Sequence, residues 1–366
     1  MAQENGSTSY AEDDARAAIS ELTAAKTVES EDTEDIEHLF APLTREEVVN
    51  CAFSSWYPQF RRVTFKSEII KPLEQSFVDY LLADGVFVPE QTTAQYHGEL
   101  EVFGGSDNSS SDSDWDDDDG SSTHDDYDLD TTSSEIRQRI ERLGGGEVFP
   151  RMNWSAPTDA SWVATTGTLR CRTPADIYWL LKSSDKVMRD LDTGRYLPKE
   201  QLGAIEPELV LRKWGNLAPA MMFRCFVKGR QLLAVSQVDY QHHEFLDEMS
   251  EDIVAKLADF FTTHVASQFP SENYCFDAYI SQPGTVYVVD FEPWTHSVDS
   301  CLFEWQELVD AKVSEFLGLR LFPDGVNPLG HFSAKYSTNR FPVEMTADAY
   351  RDSVATLIEK MKKETL

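Results

Sequence analysis

The segment Tyr274-Cys-Phe-Asp277-Ala-Tyr-Ile-Ser-Gln-Pro283-Gly284-Thr-Val-Tyr-Val-Val-Asp290-Phe-Glu292-Pro-Trp294 decides the reading of the fold. Runs rich in β-branched and aromatic residues flank Pro283-Gly284, a dipeptide suited to a tight turn, so the segment predicts a β-hairpin. With the turn centred there, Asp277 lies directly opposite Asp290. Side chains alternate along a strand, so Glu292 falls on the same face, and three carboxylates converge on one patch of an otherwise apolar sheet. Clustered carboxylates repel unless a cation sits among them, and oxygen-only ligands suit Mg2+. The same spacing also fits an acidic, solvent-facing patch on an ordinary hairpin.

Upstream, Glu208–Trp214, Met222–Val227 and Gln231–Gln237 read as three successive strands, the last two joined by a tight Lys228-Gly229-Arg230 turn. They are expected to feed the sheet of the hairpin and to bring cations, Arg212, Lys213 and Arg224, toward it. Arg212 and Lys213 point to opposite faces, so at most one can reach the patch without a bulge. Each could also be a surface cation. A long helix with Ile253, Leu257, Phe260, Phe261 and Val265 on one face leads into the hairpin.

Earlier in the chain, Thr44-Arg-Glu-Glu47 resembles a capping box, and Phe77 to Leu82 has helical spacing. Ser134–Leu143 is a charged helix ending in three glycines, Glu147–Trp154 holds a short strand, and Thr173-Pro174-Ala-Asp176 starts another helix. The whole predicts an α+β fold. Trp154 and Trp214, beside the cations, could line a base pocket. Trp56 and Tyr57 read either as buried core or as a partner-binding surface, and His242-His243 reads as a polar loop.

The chain has 366 residues with 64 Asp or Glu against 32 Lys or Arg, a net charge of −32. Such a surface repels phosphate backbones and anionic lipid, so nucleic acid and membrane are poor partners. Roughly two thirds of the excess sits in residues 1–40 and in the Asp/Ser-rich stretch 107–130, which holds eleven Asp and no Lys or Arg. Both lack the apolar content to offset chain entropy and are expected to be disordered. The start has no signal-like segment, no long apolar run occurs, and the five cysteines are scattered, which together suggest reduced thiols in a cytosolic or nuclear protein, with the cytoplasm as the expected location. P-loop, Rossmann, zinc-protease and nucleophile-elbow motifs are absent.

Cys51-Ala-Phe-Ser-Ser-Trp-Tyr-Pro58, Phe149-Pro-Arg-Met-Asn-Trp-Ser-Ala-Pro-Thr-Asp159-Ala160, Leu181-Lys-Ser-Ser-Asp185, Leu209-Val-Leu-Arg-Lys-Trp214, Phe223-Arg-Cys-Phe226, Ser236-Gln237 and Leu302-Phe-Glu-Trp305 resemble signatures of the cell division cycle protein 123 family, or D123 family. The resemblance runs from about residue 38 to residue 345, interrupted by the acidic stretch. It implies an ATP-grasp-like fold of two α+β subdomains holding ATP between them. It further implies an assembly chaperone for eukaryotic translation initiation factor 2 that binds the gamma subunit and promotes its joining with the alpha subunit. By motif position Asp277, Asp290 and Glu292 would hold Mg2+, and Arg151, Trp154, Ala156, Arg212, Lys213, Trp214 and Arg224 would surround the nucleotide. The family normally has Lys where Arg151 stands and Asn where Glu292 stands. An ATP-grasp ligase that activates a carboxylate as an acyl phosphate is the alternative function.

The expected organisation is an acidic tail (1–37), an N-terminal subdomain (38–105), an acidic insert (106–133), an ATP-grasp-like core (134–345) and a C-terminal helix (346–366), in a monomer.

Overall fold

The computed structural model describes residues 36–85, 127–164, 166–192, 194–203 and 205–325. The acidic tail up to residue 35, the acidic insert up to residue 126 and the expected C-terminal helix lie outside the described residues. The chain divides into two compact units.

One unit comprises the described residues of Ser67–Thr193 and Ala204–Trp214. Its antiparallel sheet has β1 (Ser67–Ile70), β2 (Val148–Arg151) and β3 (Leu209–Lys213) in the order β1-β3-β2. Because β1 and β2 take both edges of β3, with Glu68 and Pro150 each opposite Leu211, β3 has no edge left for the hairpin. Arg212 and Lys213 therefore belong to a separate sheet, contrary to the expectation that all three cationic strands feed one. Phe77, Leu81, Ile136, Ile140, Ile177, Leu181 and Val187, from the helices Gln75–Leu82, Asp130–Arg142, Pro174–Lys182 and Asp185–Leu191, form one core with Leu209 and Leu211.

The local signals of this unit have clear physical causes. Thr173 and Asp176 form the expected capping box, with Pro174 at the first helical position. The charged helix starts at Asp130, inside the stretch expected to be disordered, because Leu129, Thr132 and Ser133 are buried and the Ser133 hydroxyl lies 2.8 Å from that of Tyr178. Lys182 donates to the carbonyl oxygens of Tyr80 at 2.6 Å, Leu81 at 3.1 Å and Ala83, satisfying the open end of the helix Gln75–Leu82.

The other unit comprises the described residues up to Lys66, Gly194–Gly203 and the described residues from Gly215 onward. Its sheet contains β4 (Met222–Lys228), β5 (Gln231–Gln237), β6 (Tyr274–Ile280), β7 (Val286–Pro293) and β8 (Leu319–Arg320) in the order β7-β6-β4-β5-β8. Only the short β8 runs parallel to its neighbour. Cys225, Phe276 and Phe291 lie in register on one face, where Phe276 stacks on Phe261 at 6.2 Å and the ring of Phe291 lies 5.3 Å from Trp56 and 4.9 Å from Phe60. Trp56 and Tyr57 are therefore core and not a partner surface. On the opposite face Phe226, Ala234 and Cys275 form a cluster with Phe303, Trp305 and Leu308. Among the described residues no helix is long and apolar enough to cross a membrane. All five cysteines are buried and free.

Candidate functional site

Asp277 stands opposite Asp290 as the hairpin reading requires, by a different route. The amide of Ser281 donates to the Thr285 carbonyl at 2.9 Å, leaving Gln282, Pro283 and Gly284 as a three-residue loop. Pairs beside the loop, from Ile280 with Val286 to Ala278 with Val288, are consequently shifted by one position. Val289 then bulges between Val288 and Asp290, and the extra residue restores the pairing at the carboxylates.

Arg224 of β4 is opposite Asp277 and also opposite Ser236, so Ser236, Arg224, Asp277 and Asp290 form a row across four strands. Arg224 grips Asp277 with two bonds, Nε to Oδ1 at 2.8 Å and Nη2 to Oδ2 at 2.9 Å. Its Nη1 donates to the Asp299 carbonyl at 2.8 Å, and Nη2 lies 3.2 Å from Glu292 Oε2. Glu292 Oε1 accepts from Arg195 Nη2 at 3.2 Å. Burial opposes the charge of Arg224, yet Asp277 and Glu292 outweigh it and hold its pKa well above the ordinary guanidinium value. Burial pushes the Asp277 carboxyl up against the pull of Arg224, and Glu292 and Asp290 push the same way.

These carboxylates fit Mg2+ in donor type and in sharing one face. Among the described residues no three His, Cys, Asp or Glu side chains are gathered as a metal cage. Guanidinium groups take the place of a cation, at 2.8 to 3.2 Å from the oxygens of Asp277 and Glu292. The counter-ions of the patch belong to the chain itself.

In the other unit, register places Arg151 and Arg212 on one face of the sheet and Lys213 on the opposite face. Arg212 is 1% exposed, its guanidinium carbon 5.5 Å from the centre of the Phe149 ring, while Lys213 is exposed. Arg151 donates to the carbonyls of Met152 at 3.3 Å and Trp154 at 2.7 Å, tying down the loop that follows its own strand. Asp190 completes that loop by accepting from the amides of Trp154 at 3.2 Å and Ser155 at 2.8 Å and from the Ser155 hydroxyl at 2.7 Å. Trp154 is buried, while Ala156 and Trp214 are half-buried, Trp214 lying edge-on to Phe149 at 6.4 Å. His242 and His243 pair with Asp247 and Asp239, both at 2.9 Å, as a polar loop would.

Sequence reading missed Arg195, Asp190 and the Asp299 carbonyl. Each meets its partner from far along the chain, and no local motif marks the pairing.

Residues 56–349 match the sequence profile of the family described as D123. The chain is 37% identical over 330 residues to "Cell division cycle protein 123" of Yarrowia lipolytica, covering 88% of this chain and 84% of that protein. It is 38% identical over 274 residues to "Translation initiation factor eIF2 assembly protein" of Xenopus tropicalis, covering 73% of this chain and 79% of that protein. The solved structure of Cdc123 from Schizosaccharomyces pombe superposes with a TM-score of 0.62 at 30% identity, covering 78% of this chain and all of that one (100%).

Proposed function

This chain belongs to the D123 family, and from that premise we propose that it is an ATP-binding chaperone that promotes assembly of eukaryotic translation initiation factor 2 by binding the factor's gamma subunit. The observation that carries this reading is the 38% identity over 274 residues to a protein named for assembly of that factor. The reading includes an ATP-grasp-like fold. Asp277, Asp290 and Glu292 would hold Mg2+, which when bound would neutralise phosphate charge. Arg151, Trp154, Ala156, Arg212, Lys213, Trp214 and Arg224 would contact the nucleotide. Supporting the metal role is the register that puts Asp277, Asp290 and Glu292 on one face of the sheet. Supporting the nucleotide role is the pair of cations, Arg151 and Arg212, on one face of their sheet. The protein works as a cytoplasmic monomer, and a net charge of −32 suits a protein partner better than direct contact with RNA.

Mg-ATP should raise the melting temperature, because a ligand bound only by the native state adds about 2.7 kcal/mol at about a hundred times its dissociation constant. Asp290→Ala should remove that rise. No shift in the parent protein at millimolar nucleotide would defeat ATP binding, and an unchanged shift in Asp290→Ala would show the metal role to be misassigned.

A further inference from the structure

The two counter-ions of Glu292 are held differently. Arg224 lies on an interior strand, is 8% exposed, and is fixed by its two-bond grip on Asp277 and its bond to the Asp299 carbonyl. Arg195 lies on a loop with its side chain 25% exposed and reaches Glu292 through Nη2. Its placement is built into the loop. Gly194 has φ of +82°, and a Cβ there would run into the Leu197 carbonyl oxygen. Tyr196 packs on the cluster around Trp305, and the Arg195 guanidinium carbon lies 4.9 Å from the centre of the Tyr196 ring. Arg195 is thus the more exposed of the two counter-ions, carried on a loop where Arg224 is carried on an interior strand.

We propose that Arg195 is the resident cation of Glu292 that an incoming divalent metal displaces, so that Arg195 sets the metal affinity of this face. The proposal rests on the metal role given to Asp277, Asp290 and Glu292 above. A positive charge kept beside Glu292 repels a second one, so the Arg195 guanidinium on Oε1 opposes a metal ion at the same carboxylate. Arg195 thus competes for Glu292, and binding of the metal releases its side chain.

The test is Mn2+ binding by the full chain, followed through loss of the free-ion electron paramagnetic resonance signal. Arg195→Gln should bind Mn2+ about tenfold more tightly than the parent protein, as expected for loss of one nearby like charge, whereas Arg195→Lys should stay close to the parent. In a Glu292→Gln background the gain from Arg195→Gln should vanish. Arg195→Met, expected to match Arg195→Gln, guards against a folding defect peculiar to one variant. A parent protein that binds Mn2+ with Arg195→Gln and Arg195→Met no tighter would overturn the proposal and leave the metal role standing. No uptake by the parent or either variant would overturn both.

Discussion

Arg224 and Asp277 face each other across β4 and β6 and are joined by two near-parallel bonds of 2.8 and 2.9 Å. Arg224 is buried, the Asp277 side chain is 16% exposed, and the two come from neighbouring strands of one sheet, so the carboxylate face is held together before any ligand arrives. Removing one member strands the other's charge in the interior. Arg224→Ala should therefore lower unfolding stability by about 3–5 kcal/mol, while the paired replacement Arg224→Met with Asp277→Leu should cost much less. Urea titration of the single and double variants would show this, and an additive double variant would count against the pair acting as a unit.

Lys182 should be a structural lysine. Its ammonium caps three carbonyls at the end of the helix Gln75–Leu82 and lies 5.2 Å from the Tyr80 ring centre. Lys182→Met keeps the stem and deletes the donors, and is expected to cost about 2–3 kcal/mol by urea titration. A loss within a few tenths would show the cap to be dispensable.

Alkaline pH should destabilise the protein through its thiols. Burial pushes the pKa of Cys51, Cys171, Cys225, Cys275 and Cys301 up. The folded state keeps these protons while the unfolded chain loses them above about pH 8.5, so the stabilising contribution is complete below that pH and declines as pH rises. Each thiol can contribute a loss of up to about 1.4 kcal/mol per pH unit. The urea midpoint should hold between pH 7 and 8 and fall by pH 9.5, and the native protein should leave its thiols unreacted with a disulfide reagent at pH 7.

Gly194 should resist substitution. Ala there meets both a left-handed backbone and the Leu197 carbonyl, a cost of about 1–3 kcal/mol. Because Arg195 is carried on the same turn, Gly194→Ala should also loosen its pairing with Glu292, detectable as tighter Mn2+ binding in the same resonance assay.

Much of the framework was legible because its signals are local. The Thr173 cap, the helix Glu244–Phe260 with Ile253, Leu257 and Phe260 buried on it, and the pairing of Asp277 with Asp290 within one hairpin follow from residues near one another in the chain. That last pairing was reached with a shorter turn than the chain adopts, and the bulge at Val289 supplied the missing residue. A bulge has no sequence mark as plain as a Pro-Gly turn. The assignment of β3 was not legible, since a strand's sequence does not say which edges will pair with it. Trp56 carries the same sequence signal whether core or surface, and its burial comes from Phe291 and Phe60, of which Phe291 lies far along the chain. Arg195 meets Glu292 across nearly a hundred residues, a separation of 97, and only the folded chain shows that meeting.

The most direct test of the account is capture of purified gamma subunit of eukaryotic translation initiation factor 2 by the immobilised full chain, with Mg-ATP present. Retention of the gamma subunit at stoichiometric levels is the expected result. Failure to retain folded gamma subunit by a folded chain would contradict the assembly function.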